Sequence, residues 1–538
     1  MIRKYVYITI LCMVATIIYA DNQLAIAFYK SGQPSVAKRL LEQEVINDSS
    51  NPGNGAPILL AEAYYYLGEI AFDAQQVPES RSYYQKGWDA SHDYPYNKIG
   101  EGKVLLSSDK AAAENAFNEA IKIDKKNAKV YITIAAAYHL SKMDTEAASY
   151  QEKALKQNAK DPAIFIYEGD LLFASGKPGD AAGKYEQAIY FDPDCIEAYL
   201  KYANVYQNVT PSLAITMLEK VLASHPDYLL AYNALGNIYS QQGQYNKAIN
   251  AYKAYIDGNL YSPDDLVHYA SALFFNKQYP EAAGIIEKGL SLAPDNFLLQ
   301  RLNMYNAYET KAYDAGMRQA NSIFNASNEK FIWQDYLYYG RLLNATKQYE
   351  QALKNLQKVL TLTDSHNEVY QDLASVYANL GDNQQAVFAY SKYISSFDKS
   401  QIATSDYYQL GVYYYTAAIS DSADVVLSNS NLQKADSTFT LVTERVPESY
   451  LGYLWKARTN SMLDPETEQG LAKPFYDSCI QILEKNGERK KELAECYRYL
   501  GYYYYQKKDM TSSKLYWNKV LEIDPTNKIA QEAIQNIR

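Results

Sequence analysis

The chain has 538 residues, of which 48% are hydrophobic and 21% are charged, and its formal net charge is −10. This composition is typical of a globular chain with enough apolar residues to form a core. The acidic balance and the lack of any run of five Lys or Arg residues disfavour a nucleic-acid partner, because phosphate binding needs a clustered basic surface.

The N-terminus has the features of an export signal. Arg3 and Lys4 precede a mostly apolar stretch at residues 6–19, and Ala20 is followed by Asp21. This pattern predicts a secretory signal peptide over residues 1–20, cleaved after Ala20. The apolar stretch is short for a membrane span, so we expect a periplasmic or secreted protein. Anchoring by an uncleaved N-terminal helix is the alternative, and a cytoplasmic protein is a minor one.

A small residue recurs about every 34 positions through most of the chain. The series is Ala113, Ala147, Ala181, Ala214, Ala248, Ala282, Gly316 and, after one step of 36, Ala352 and Ala386. A repeat of this length predicts stacked helix pairs, in which each pair contacts only its neighbours. Any function is then expected on a surface that the stack creates.

One repeat shows the pattern of both helices. The first stripe is Tyr232, Leu235, Gly236 and Tyr239, and the second is Ala248, Tyr252 and Tyr255. Each stripe has helical spacing, and Gly243 interrupts the two. This pattern resembles the tetratricopeptide repeat family. The resemblance implies an all-α solenoid, a right-handed superhelix of antiparallel helix pairs with about 13 to 14 repeats.

The repeat template and its interruptions predict the organisation of the chain. Twelve extra Ser/Asp-rich residues separate the helices of one repeat, and two prolines bracket a loop in the next. The predicted segments are a signal peptide at 1–20, a repeat array at 21–400, and C-terminal repeats at 401–538 with an insertion at 420–431, a loop at 463–474 and a capping helix at 526–538. Whether the array bends at 395–405 is left open.

The sequence offers no motif for catalysis. Its five histidines fall in different repeats, and no Cys/His group has metal-ligand spacing. We therefore expect no enzymatic activity, no cofactor and no metal; an enzyme or an enzyme's regulatory subunit is a minor alternative. A Cys479–Cys496 disulfide is conceivable because the two lie on successive helices, but two buried thiols are favoured.

In the tetratricopeptide family, helix A residues outside the packed stripe line a concave groove. The positions that the resemblance transfers to this chain are Asn204, Gln207, Asn208, Asn233, Asn237, Phe274, Arg341, Asn344, Gln371, Asn379, Tyr408, Tyr415, Arg498, Tyr502 and Tyr505. Asparagine can donate to and accept from a peptide backbone, and tyrosine provides rigid contact area. The alternative is that the asparagines only keep the inner face hydrated.

The family's carboxylate clamp for chaperone C-termini is not expected here. Its basic positions are occupied by Asn233 and Asn237 in one repeat and by Asp264 and His268 in the next. The predicted function is a non-enzymatic scaffold of the periplasm or cell envelope that binds protein segments in the groove, with peripheral association with envelope complexes. The alternative is a glycan-binding protein of the envelope that uses the tyrosine-rich groove.

Overall fold

The computed structural model describes residues 22–50, 57–325, 330–363, 366–420, 424–486 and 489–537. Regular structure within these ranges is helical throughout, with 29 α-helices. The predicted signal peptide at 1–20 lies outside the described residues, as do residues 421–423 of the predicted insertion. The chain forms two compact units that divide between Leu302 and Asn303.

Unit 1 contains eight complete helix pairs and the first part of the next helix. Its helices are α1 (Gln23–Lys30), α2 (Pro34–Ser50), α3 (Pro57–Asp73), α4 (Val77–Ala90), α5 (Tyr96–Leu105), α6 (Lys110–Ile123), α7 (Ala128–Leu140), α8 (Asp144–Gln157), α9 (Pro162–Ala174), α10 (Pro178–Phe191), α11 (Ile196–Tyr206), α12 (Pro211–Ser224), α13 (Leu229–Gln241), α14 (Tyr245–Asp257), α15 (Pro263–Phe275) and α16 (Tyr279–Leu292). Helix α17 (Phe297–Glu309) carries the division.

Unit 2 continues the same alternation of helices. Its helices are α18 (Tyr313–Asn325), α19 (Trp333–Ala345), α20 (Tyr349–Leu362), α21 (Val369–Asn379), α22 (Asn383–Ser395), α23 (Thr404–Ser420), α24 (Val425–Arg445), α25 (Tyr450–Leu463), α26 (Lys473–Asn486), α27 (Lys490–Gln506), α28 (Met510–Ile523) and α29 (Lys528–Asn536). Odd-numbered helices are the A helices and even-numbered ones the B helices. The described ranges thus hold 14 pairs and a final single helix, which confirms the predicted all-α stack of helix pairs.

A glycine on helix A meets a large ring on helix B in many pairs. A Cβ added to Gly236 would lie 2.6 Å from ring atoms of Tyr252, and one added to Gly501 would lie 2.8 Å from Trp517. The two helices can therefore approach this closely only where helix A has no side chain. This glycine on helix A is a second small position of the pair, because the small residue that recurs about every 34 positions, such as Ala248, lies on helix B.

The predicted insertion at 420–431 lengthens both helices of its pair. Helix α23 has 17 residues and α24 has 21, whereas helices in the regular pairs have about 13 or 14. Gly411 still meets Phe439, the equivalent ring on helix B, at 2.6 Å from an added Cβ. The helix crossing is therefore preserved, and the extra residues extend the far end of the hairpin.

Candidate partner-binding surface

Several predicted groove residues of unit 1 bond within the stack. Asn233 is buried, and its amide donates to the Asp265 carboxylate of the next A helix at 3.0 Å. The Asn237 side-chain oxygen accepts from the Tyr252 hydroxyl at 2.7 Å, and Phe274 is buried. These three side chains hold neighbouring helices together.

The predicted residues of α11 are more open. Asn204 and Asn208 are exposed, and the Gln207 amide donates to the Asn204 side-chain oxygen at 2.6 Å. The Gln207–Asn204 hydrogen bond joins two residues at the same helix end and does not tie them to another helix. This part of the predicted groove is therefore accessible to a partner.

In unit 2, predicted groove residues form bonds between successive A helices. The Arg341 Nε donates to both carboxylate oxygens of Asp372, at 3.1 and 3.0 Å. Asn344 donates to Ser375 at 3.2 Å and accepts from the exposed Asn379 at 3.0 Å. Gln371 is exposed on the same face.

The Arg341–Asp372 pair is largely removed from water. Burial alone would favour the neutral arginine, but the charge and hydrogen bonds of Asp372 raise the pKa of Arg341 above its ordinary value. Burial also raises the pKa of Asp372, against the opposing effect of Arg341. Removal of one partner would leave the other charge unpaired, so this arginine has a structural role.

The tyrosines of α23 pack on a tryptophan. Tyr415 lies edge-on to Trp455 with ring centroids 5.3 Å apart, and Tyr408 does the same at 6.2 Å. Both tyrosines are half-buried, and Phe439 stacks on the same indole. The predicted tyrosine-rich face is thus partly a packed aromatic cluster.

The last predicted residues line a cavity of about 380 Å³ in unit 2. Arg498 and Tyr502 on α27 contribute to it, and Tyr505 is exposed one turn further along the same helix. The whole lining is Ser461, Pro465, Thr467, Tyr476, Glu495, Arg498, Tyr499, Tyr502, Trp517 and Ile529. We call this cavity the C-terminal pocket. It draws together the loop after α25, helices α26 to α28 and the final helix α29.

Two arginines lie at or beside the C-terminal pocket, and one of them is ion-paired. The Arg458 Nε and Nη2 atoms donate to the two oxygens of Glu495, at 2.8 and 2.7 Å. These hydrogen bonds, despite burial, raise the pKa of Arg458 above its ordinary value. Arg498 is exposed, and it forms no ion pair with any residue that the structure describes. Glu495 is paired with Arg458 and the Asp464 carboxylate is held by backbone N–H groups of its own loop, so Arg498 is the arginine of the lining that no described carboxylate pairs.

The predicted loop at 463–474 forms one wall of the C-terminal pocket. The buried Asp464 carboxylate accepts from the backbone N–H groups of Gln469, Gly470 and Leu471, the shortest at 2.6 Å. Burial favours the neutral acid, but these hydrogen bonds hold the pKa of Asp464 below its ordinary value. The loop is therefore fixed by its own first residue, and it holds Pro465 and Thr467 in place.

Within unit 1, the first helix pair contacts pairs far along the chain. The Lys30 ammonium, at the end of α1, lies 2.5 Å from the Glu197 carboxylate at the start of α11. The Tyr255 hydroxyl on α14 donates to Gln33 at 3.2 Å. The contacting residues are 167 and 222 positions apart in sequence. Within unit 1, the sixth and seventh helix pairs therefore contact the first pair.

Charges converge on this contact. Burial would favour neutral Glu197, but the charges of Lys30, Lys201 and Lys129 hold the pKa of Glu197 below its ordinary value. The Lys129 side chain is partly accessible, but desolvation by the surrounding protein, followed by the charge of Lys30, lowers the pKa of Lys129. Lys30 is therefore the ion-pair partner of Glu197, while Lys129 and the Asp170-bonded Lys201 contribute only their charge.

Tyrosines of the first three pairs lie beside these charges. Tyr66 packs edge-on to Tyr29 at 5.9 Å and to Tyr65 at 5.0 Å, and Tyr94 lies 5.1 Å from Tyr96. Burial, then the charges of Glu62 and Glu197, raise the pKa of Tyr66. We call these tyrosines and the Lys30–Glu197 contact the N-terminal chamber.

Sequence reasoning did not identify the N-terminal chamber or most of the C-terminal pocket. Lys30 and Glu197 are far apart in sequence, and no local motif connects them. Asp464-Pro465 at the start of the loop was a usable signal for that wall of the C-terminal pocket. For Trp517 and Ile529, the sequence contained no signal of a place in the pocket beyond their positions in the repeats.

A cavity of about 330 Å³ in unit 1 is lined by residues around Pro193–Tyr199 and Lys220–His225, with no predicted groove residue. The described part of the chain has no group of three or more His, Cys, Asp or Glu side chains that could hold a metal ion. Among its helices, none is long and apolar enough to cross a membrane.

The cysteines of the described ranges are free thiols. Cys479 and Cys496 are both buried, and the Cys479 thiol donates to the Tyr450 carbonyl at 3.6 Å. Both are free thiols in the structure. A hydrogen bond with Cys479, together with burial, raises the pKa of Cys496.

Comparison with known proteins identifies the repeats. Tetratricopeptide repeat families match residues 22–95, 368–398 and 494–527, and the family of anaphase-promoting complex, cyclosome, subunit 3 matches residues 212–289. The chain belongs to the tetratricopeptide repeat family. The matches fall in both units, which agrees with a single type of helix pair along the chain.

Individual relatives of this tetratricopeptide protein are distant. BBSome complex member BBS4 of Bos taurus is 22% identical over 301 residues, covering 55% of this chain and 56% of that protein. DnaJ homolog subfamily C member 3 of Mus musculus is 24% identical over 219 residues, or 40% of this chain and 39% of that protein. The chain spans about half the length, or less, of the curated relatives it matches.

Among solved structures, the C-terminal part of a TPR repeat-containing protein from Cytophaga hutchinsonii is 30% identical. The match covers 50% of this chain and 99% of the Cytophaga hutchinsonii chain, with a TM-score of 0.41.

Proposed function

We propose that this tetratricopeptide protein is a non-enzymatic scaffold of the periplasm or cell envelope that binds segments of partner proteins on its A-helix face. The C-terminal pocket carries the proposal. It is a concave site that combines aromatic walls, an unpaired arginine and a fixed loop. Pockets with mostly apolar walls and a few directed polar groups are the usual form of a binding site.

The distribution of bonds along the A helices supports this location. Asn233, Asn237, Arg341 and Asn344 are bonded within the stack, whereas Arg498, Tyr502 and Tyr505 are exposed. Exposed tyrosine and arginine side chains are the residue types enriched at the energetic centres of protein interfaces. The glycan alternative gains no comparable support from the described residues.

The location rests on the predicted export signal. Arg3, Lys4 and the following apolar stretch are the observations behind it. N-terminal sequencing of the protein purified from its own cells would give Asp21 as the first residue if the signal is cleaved. A chain that starts at Met1 and fractionates with the cytoplasm would contradict the envelope location.

Binding is tested by capture with matched variants. The tagged protein, Tyr502→Ala and Leu515→Ala are each expressed in the source cells, and co-purified proteins are quantified. Tyr502 lines the pocket, and Leu515 is a similarly exposed residue on the B helix of the same pair. We expect a stoichiometric partner with the unaltered protein and Leu515→Ala, reduced about tenfold or more with Tyr502→Ala. Equal recovery with all three, or no stoichiometric partner, would contradict the proposal.

A further inference from the structure

The charge of the C-terminal pocket restricts what it can bind. Glu495 has both carboxylate oxygens bonded to Arg458, so it does not neutralise a second cation. Arg498 faces the same cavity with no acidic partner in the described ranges. A guanidinium in a partly apolar cavity is best matched by a carboxylate, which accepts two parallel hydrogen bonds from it.

Apolar residues line the same cavity as Arg498. Pro465 comes from the loop after α25, and Ile529 comes from the final helix α29. Tyr502 and Trp517 line the same cavity. A chain segment with an apolar side chain beside its carboxylate can therefore bury that side chain against one of these walls.

We propose that the C-terminal pocket recognises an acidic side chain, Asp or Glu, that stands next to an apolar residue inside an extended partner segment. The inference rests on the proposed scaffold function and adds the chemical class of the bound segment. The site differs from the carboxylate clamp that the sequence excludes at Asn233 and Asn237. It uses one arginine, the loop after α25 and the final helix.

The test starts with a phage-displayed library of random heptapeptides, each fused at its C-terminus so that only internal carboxylates are presented. Selection is run on the full chain, on Arg498→Gln and on Arg318→Gln. Arg318 is an exposed arginine of α18, away from the C-terminal pocket. We expect peptides with Asp or Glu beside an apolar residue to be enriched several-fold on the unaltered chain and on Arg318→Gln, but not on Arg498→Gln.

The strongest selected peptide is then synthesised with an amidated C-terminus, together with its Glu→Gln or Asp→Asn analogue. Fluorescence anisotropy should show a Kd about tenfold or more higher for the neutral analogue on the unaltered chain. On Arg498→Gln the two peptides should bind equally, and Arg498→Lys should restore part of the difference. An unchanged thermal unfolding profile of Arg498→Gln would establish that the variant is folded.

Three results would overturn the inference: no enrichment, enrichment of peptides without acidic residues, or the same enrichment on Arg498→Gln. The proposed function is judged separately. If Tyr502→Ala loses the cellular partner but Arg498→Gln retains it, the scaffold function stands and acidic recognition is wrong. If no partner depends on Tyr502, the proposed function itself fails.

Discussion

The close crossing of helices A and B makes a sharp prediction about two glycines. In Gly236→Ala, the new Cβ would lie 2.6 Å from the Cδ1 and Cε1 atoms of Tyr252 and 3.0 Å from its Cγ. The Tyr252 ring is buried, and its hydroxyl is fixed by Asn237 at 2.7 Å. Because the ring has no free direction in which to move, the substitution overpacks the crossing.

The magnitude follows from two opposed contributions. Overpacking a core costs about 1–3 kcal/mol, and replacing a helical glycine by alanine returns about 1 kcal/mol. We therefore expect Gly236→Ala to destabilise its pair by about 1 kcal/mol. Gly183→Ala is the matched control, because Gly183 lies within α10 and an added Cβ meets nothing within 4 Å. It should stabilise its pair by up to about 1 kcal/mol.

Native-state hydrogen exchange with mass spectrometry measures both effects pair by pair, which suits a stack whose repeats open separately. The two variants should differ by about 2 kcal/mol, or roughly 30-fold in the opening constants of their own pairs. If Gly236→Ala stabilised α13 and α14 as much as Gly183→Ala stabilises α9 and α10, the steric explanation of the helix A glycine would be refuted.

Three further predictions concern the charged contacts. Lys30→Glu should speed exchange in α1 and α2 about fivefold, because a partly exposed ion pair contributes about 1 kcal/mol, and adding Glu197→Lys should restore it. The pKa of Asp464 is lowered, so its contribution is complete above its ordinary pKa and is lost as pH falls through the lower folded value. Loop amides at 469–471 should therefore lose protection in acid below about pH 4, and in Asp464→Asn at neutral pH. Arg341→Gln should cost about 2 kcal/mol in denaturant unfolding of its pair, since it leaves the Asp372 carboxylate unpaired and mostly buried.

Each of these has an outcome that would count against it. Unchanged exchange in Lys30→Glu would mean that the ion pair does not close unit 1. Loop protection that is insensitive to acid would mean that the Asp464 carboxylate does not hold the loop. For Arg341, the exposed Arg318→Gln serves as the control and should change stability by less than about 0.5 kcal/mol. Equal effects of the two would remove the structural role of Arg341.

The sequence was sufficient to predict the stack, because small residues recur at fixed positions of helix A and helix B in most pairs. Gly236 and Gly501 face rings at the same offset along the chain, so the steric pattern is visible as a period. The insertion in the α23–α24 pair was also visible, since it lengthens that offset. What the period cannot show is that the extra residues continue both helices.

The candidate surface was less predictable, for a physical reason. The repeat template places Asn233 and Arg341 on helix A, but not whether their side chains are free. Their partners Asp265 and Asp372 lie on the next A helix, about 31 or 32 residues away. Whether two such side chains meet depends on the rotation between pairs, which the sequence does not display. The contact between Lys30 and Glu197 depends on that rotation accumulated over several pairs.

The central claim is that a partner protein occupies the C-terminal pocket. The most direct measurement is photocrosslinking in the source cells, with a photoreactive amino acid at Tyr502 and, separately, at Leu515. Both residues are exposed, on opposite helices of one pair. The account predicts that Tyr502 yields one dominant crosslinked protein, with the crosslink in a single short segment, while Leu515 yields none at comparable level. Equal crosslinking at both positions, or none at Tyr502, would contradict it.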